Sequence, residues 1–165
     1  MNSTKHRELT IHDVARPQPP LAVRGATTLW FTAVGAGVAE SVLGVLGALG
    51  DGPSVVGLLV QLAFRAIVYG GLFVVIDRYF RPGVRWSRWL LTGLLGTVGI
   101  ASLLIGPIGW LWHNGDFGTL DWSASFIAFA AIRCAHVTAV VSAIALSFHP
   151  DANRWFSRRP VRRTH

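Results

Sequence analysis

The sequence predicts an all-α membrane protein, a bundle of four transmembrane helices with both termini on the cytoplasmic side. Three observations predict it. Four apolar runs, at 26–49, 55–76, 89–112 and 123–148, are each long enough to span about 30 Å of hydrocarbon, which takes about 20 helical residues. The chain is 52% hydrophobic and 14% charged, with a mean hydropathy of +0.46, whereas soluble domains are about 25% charged. The lysines and arginines outside the runs all gather on one side of the expected bundle.

Taken in order, residues 1–23 are polar, mixed in charge and interrupted by Pro17, Pro19 and Pro20, which predicts a semi-extended tail. They do not read as a signal peptide, because the first apolar run starts too late and is too long for an h-region. In lipid every backbone group must be satisfied within its segment, so runs of this length are helices rather than barrel strands. Gly50-Asp51-Gly52-Pro53 predicts a tight turn, with Pro53 suited to starting the second helix. The stretch from Arg78 to Arg88 holds four arginines in eleven residues and reads as a cytoplasmic hinge between two hairpins. Gly106-Pro107 should kink the third helix. The connection 113–122 carries Asn114-Gly115 and Gly118 and is turn-like. The division is a tail at 1–23, a transmembrane domain at 24–149 and a basic tail at 150–165.

Charge sets the orientation. Lys5, Arg7, Arg16 and Arg24, the hinge arginines Arg78, Arg81, Arg85 and Arg88, and the tail arginines Arg154, Arg158, Arg159, Arg162 and Arg163 make thirteen basic residues on one side. The opposite loops hold Asp51, Asp116 and Asp121 and no lysine or arginine. By the positive-inside rule the basic side is cytoplasmic, and the protein is expected in the cell (inner) membrane. The hinge and tail arginines are expected to contact anionic lipid headgroups or a partner. Nucleic acid is not expected, since no basic stripe lies on a recognisable binding fold. The seven tryptophans fall near span ends, which predicts an anchoring belt. Cys134 is the only cysteine, so no intramolecular disulfide or cysteine zinc site is available, and it reads as a small packing residue. The histidines form no ligand spacing, and no metal or cofactor is expected.

Inside the membrane, ionisable groups cost roughly 2.5–3.5 kcal/mol each on an insertion scale and so face protein or water. Here they are Glu40, Arg65, Arg133 and His136, with Gln61 as a neutral companion. At about 1.5 Å per helical residue, Glu40, Arg65 and Arg133 lie about 14, 15 and 16 Å from the outer ends of their helices. One shared layer predicts a cluster in which Glu40 meets Arg65, Arg133 or both, in bidentate fashion. Gln61 and His136 add hydrogen bonds from the same helix faces. One positive charge is left over, to be compensated by an anion, a lipid phosphate, a partner's carboxylate or water. Gly37, Glu40, Gly44 and Gly47 predict a close helix contact, and Gly93, Gly96 and Gly99 a second on the third helix. That helix carries no ionisable residue in its span and reads as scaffold.

Two resemblances bear on function. Arg85-Trp86-x-Arg88 before the third span, and His149-Pro150-Asp151-Ala152-Asn153-Arg154-Trp155-Phe156 after the fourth, resemble small uncharacterised four-span actinobacterial integral membrane proteins. In these the last helix commonly ends in Pro-x-Ala-Asn-x-aromatic-Phe. The likeness covers about residues 20–157 and implies the four-span plan but no activity. Ala39-Glu40-Ser41-Val42-Leu43-Gly44 is similar to the first-helix segment of small multidrug resistance transporters, which implies a proton- and cation-binding glutamate at Glu40. This chain is longer, has a basic middle loop, and sets two arginines at the glutamate's depth, where they would repel a cationic drug.

No GxSxG, P-loop, HExxH or dinucleotide fingerprint is present, and the polar parts are too short for a catalytic domain, so an enzyme is not expected. The leading expectation is an interaction or accessory subunit, in contact with a membrane protein partner or a second copy of itself. The alternative is a small transporter or channel that binds an anion at Arg65 and Arg133. It requires a path reaching the Glu40 layer. The third reading, a membrane enzyme or cofactor carrier, requires a copurifying cofactor.

Overall fold

The computed structural model describes residues 18–49, 52, 54–113, 115–116, 118 and 122–158. Four of its helices are long and apolar enough to cross a membrane: α1 (Leu21–Leu49), α2 (Val55–Phe80), α3 (Arg85–His113) and α4 (Ala124–Ser147). A short α5 (Pro150–Phe156) follows. The all-helical, four-span architecture expected from the apolar runs is therefore present. Ser54 and Ser123 cap α2 and α4, their hydroxyls accepting from Gly57 N and Phe126 N, so each helix starts where a side-chain oxygen can satisfy a free N–H.

α1, α2 and α3 are longer than expected at the end where Leu21, Phe80, Arg85 and Ser147 lie, here termed the basic end. α1 begins at Leu21, inside the stretch expected as tail, because the Pro20 carbonyl already accepts from Val23 N and Arg24 N at 3.0 Å. The tail before residue 18, with Lys5, Arg7 and Arg16, lies outside the described residues, as do Asp51, Pro53, Asn114 and Asp121. α2 continues past residue 76 in a wide π turn, Ile76–Phe80, and α3 starts at Arg85. The expected hinge is thus a turn only at residues 81–84. Gly83 there has a φ of 93°, and a Cβ on it would sit 2.6 Å from Trp155 Nε1, which makes glycine obligatory twice over.

The core lies at this basic end. Trp30, Ile76, Phe80, Leu91 and Val140 are fully buried, and Phe156 is 1% exposed. Phe80 stands between Trp30 and Phe156, with ring centroids 6.5 and 5.1 Å apart. Trp30 Nε1 donates to Ser147 Oγ at 3.3 Å, which joins α1 to α4. α1 and α4 form the most extensive helix pair, with Gly25 letting Leu146 approach. The tryptophan belt is accordingly incomplete. Trp86, Trp89, Trp112 and Trp122 are exposed as anchors should be, but Trp30 and Trp155 are core residues. A buried indole needs a partner or a close-fitting wall, and only packing reveals which tryptophans find one.

The opposite half is loose. Val55, Val56, Leu59, Val60, Leu62, Phe64 and Ile67 of α2 are exposed, and the first buried residue on that helix is Leu72. Gly44 and Gly47 face open space rather than a neighbouring helix, so the expected seam closes only at Gly37. On α3 the close approach is at Gly96, against Ile144, not along all three glycines. α3 also contains a second π segment, Leu94–Gly99, and runs on through Pro107. Cys134, expected to be a small packing residue, is exposed. Splaying of this kind is cheap in lipid, because acyl chains cover an apolar helix face as well as another helix would.

Candidate functional site

Between the splayed parts of the four long helices lies a partly open cavity of about 740 Å³. Glu40, Ser41, Gln61, Arg65, Arg133 and His136 all line it. The layer expected from helical depth is therefore assembled, and it surrounds a space rather than filling one. α3 supplies a wall, including Leu94, Val98 and Leu103, and is more than a scaffold outside the layer.

The two arginines differ in their partners. Arg133 Nε donates to Glu40 Oε1 at 2.9 Å, with the side chains 28% and 16% exposed. The contact is through Nε alone rather than bidentate, and the guanidinium also lies over the Phe129 ring at 4.6 Å, one turn earlier on α4. Arg65 forms no hydrogen bond or ion pair among the described residues. It is half-buried in the cavity wall on α2, with exposed Gln61 one turn away. The surplus cation is thus Arg65, and Glu40 belongs to Arg133.

His136 is 6% exposed, and neither ring nitrogen has a hydrogen-bond partner. Its ring is held against Gly37, where an added Cβ would be 3.4 Å from Cε1 and 3.1 Å from Tyr69 Cε1. Tyr69 Oη donates to Gly37 O at 3.0 Å, and Ser41 Oγ donates to the same carbonyl at 2.8 Å, the two hydroxyls being 3.0 Å apart. These bonds tie α2 to α1 at the inner edge of the cavity. Tyr69 and Ser41 were not anticipated. The available signal was spacing: Tyr69 lies one turn after Arg65, and Ser41 one turn after Gly37.

Among the described residues no group of three or more His, Cys, Asp or Glu side chains is placed to hold a metal. A neutral imidazole has one donor and one acceptor, and a guanidinium has five donors. The open groups of the cavity are therefore suited to an oxygen-bearing anion.

At the basic end the two sequence stretches that carried the first resemblance form one joint. Arg88 Nη1 donates to Asn153 Oδ1 at 2.6 Å, and its guanidinium lies 5.1 Å from the Phe148 ring centroid and 5.4 Å from that of Phe156. Asn153 Nδ2 donates to Phe148 O, and His149 Nδ1 accepts from Asp151 N at the start of α5. Arg88 is thus half-buried inside the protein, not free for headgroups as expected. Among the other arginines, Arg81 pairs with Asp77 at 3.5 Å, Arg154 with Asp151, and Arg158 lies over Trp155. Arg78 and Arg85 are exposed. Arg159, Arg162 and Arg163 lie outside the described residues. Comparison of the chain with protein-family models, curated proteins and solved structures gave no match.

Proposed function

We propose that this protein is a small transporter of the cell (inner) membrane that binds an anion in the cavity, with both termini in the cytoplasm. The observation that carries the reading is the uncompensated Arg65 facing that space. A cation at bilayer depth needs a counter-charge or water. With Glu40 committed to Arg133, the wall presents one net positive charge when His136 is neutral. A ligand anion brings the sum to zero. The uneven packing supports a carrier over a channel, since the cavity lies above a closed aromatic core at the basic end. The orientation rests on the positive-inside rule, which sets the arginine-bearing end toward the cytoplasm and the loose half away from it.

The accessory-subunit reading keeps one supporting observation, the exposure of most large apolar residues of α2 between Val55 and Ile67, which a partner helix would cover. It leaves Arg65 and the cavity without a role.

The test is ligand-dependent stability of the purified full chain with sodium chloride, benzoate and decanesulfonate as probes. A ligand at 100 times its Kd stabilises by about 2.7 kcal/mol. At least one probe should raise the Tm of the wild-type protein and leave that of Arg65→Gln unmoved. If no anion acts, or if both proteins respond alike, the reading is wrong. Flux of the active probe into proteoliposomes then separates carriage from binding alone.

A further inference from the structure

Resting on that reading, we infer that the anion is an amphiphile, a single negatively charged oxygen-bearing head on an apolar tail, which reaches Arg65 from within the bilayer. The cavity has two unlike walls. Its open polar groups come from α1, α2 and α4, whereas α3 contributes Leu94, Leu95, Val98 and Leu103, together with Ser102, whose hydroxyl is already donated to Gly99 O at 2.7 Å. The α3 wall fits a tail, as do Phe64, Val68 and Leu72 beside Arg65 on α2, and the volume of about 740 Å³ falls in the usual range for ligand sites of about 300–1,000 Å³.

Depth favours an amphiphile over a hydrated ion as the natural occupant. The lining residues nearest the loose ends of their helices are Gly44, Gln61, Leu103 and Phe129, each at least five residues inside, or about 7 Å at 1.5 Å per residue. A small anion would have to shed its water among apolar side chains to arrive there. An amphiphile already dissolved in the bilayer has a lateral path. α2 and α3 pack together chiefly through the last turn of α2 at Ile76–Phe80, so beyond that turn the side between them is open to acyl chains.

His136 is the independent sign of a ligand. It is more than nine-tenths buried, lines the cavity and has both ring nitrogens unpartnered. Both nitrogens are closed off from the open space, so the ring must turn before a head held by Arg65 can accept from it. The net charge of the wall matches one negative charge on the ligand, so monoanionic heads such as carboxylates, sulfonates or phosphodiesters fit.

The experiment uses the full chain held in amphipol, titrated calorimetrically with decanesulfonate, methanesulfonate and decanol below their aggregation limits. Sulfonates stay ionised, so the head charge is fixed. Decanesulfonate should bind one per chain and at least a hundredfold tighter than methanesulfonate, which corresponds to roughly three to four buried methylenes at about fourfold each. Arg65→Gln should weaken decanesulfonate at least tenfold. Val98→Trp, which fills the tail wall, should abolish decanesulfonate binding while methanesulfonate changes less than twofold. If methanesulfonate binds as tightly as decanesulfonate, the site takes a small anion. The amphiphile inference is then overturned, while the anion reading stands. If decanol binds as tightly as decanesulfonate, or if Arg65→Gln binds decanesulfonate like the wild type, both fall together; if no probe binds, the amphiphile inference is overturned and the chloride and benzoate arms decide the anion reading.

Discussion

Replacing Glu40 by Gln separates the two arginines of the cavity. The wild-type pair shares one contact of 2.9 Å between side chains that are 16% and 28% exposed, so neither charge is well served by water. Removing one partner of a mostly buried pair costs about 3 kcal/mol, because the other is left desolvated. For a chain of this length that corresponds to a fall in Tm of roughly 6–12 °C at about 2–4 °C per kcal/mol. Arg133→Gln should cost less, since Glu40 then has Arg65 available on the same cavity wall. The double variant should recover most of the Glu40→Gln loss, with a coupling of about 2 kcal/mol. Anion binding should move the opposite way, because Glu40→Gln raises the charge of the wall from one to two. The assay is thermal unfolding of the four proteins in one detergent, without and with decanesulfonate. Equal losses for the two single variants, or a coupling below about 0.5 kcal/mol, would refute the assignment of Glu40 to Arg133 and of Arg65 to the ligand.

Four further outcomes are expected, three from the geometry and one from the charge distribution. Gly37→Ala sets a methyl 3.1 Å from Tyr69 Cε1 and should destabilise by about 1 kcal/mol. Gly44→Ala meets nothing within 4 Å and should stabilise by about 0.5–1 kcal/mol through helix propensity; chemical denaturation distinguishes the signs. Arg88→Ala and Asn153→Ala each remove the 2.6 Å bond between α3 and α5 and should cost about 1.5–3 kcal/mol, with losses in the double variant that do not add; additivity in a thermal cycle would show that the joint does not depend on this bond. In a Cys134→Ala background, a cysteine at Arg158 should react with an impermeant maleimide only after cells are broken, and a cysteine at Ser125 should react in intact cells. The reverse pattern would invert the topology.

Hydropathy and length sufficed for the four spans, because a bilayer imposes a minimum run of apolar residues whatever the neighbours are. Depth along each helix likewise brought Glu40, Arg65 and Arg133 to one layer. What depth cannot supply is azimuth. Which arginine reaches Glu40 depends on the rotation of α2 and α4 about their axes, and that is set by contacts such as Gly25 with Leu146 and Tyr69 with Gly37. The same limit hid the burial of Trp30 and Trp155, since span-end position is shared by anchors and core residues. Arg88 looked like a loop cation because Arg81, Pro82 and Gly83 precede it. Its aromatic surroundings come from Phe148 and Phe156, some sixty residues away.

The joint between α3 and α5 also bears on assembly. Phe156 completes the ring stack that begins at Trp30, and Asn153 reaches back to Arg88, so the firm half of the molecule stays unfinished during synthesis until its final short helix has emerged. An intermediate with all four long helices but no α5 would leave Phe80 and the Arg88 guanidinium without the cover of Phe156. Damage to residues 150–156 should therefore leave that half of the molecule without its last wall.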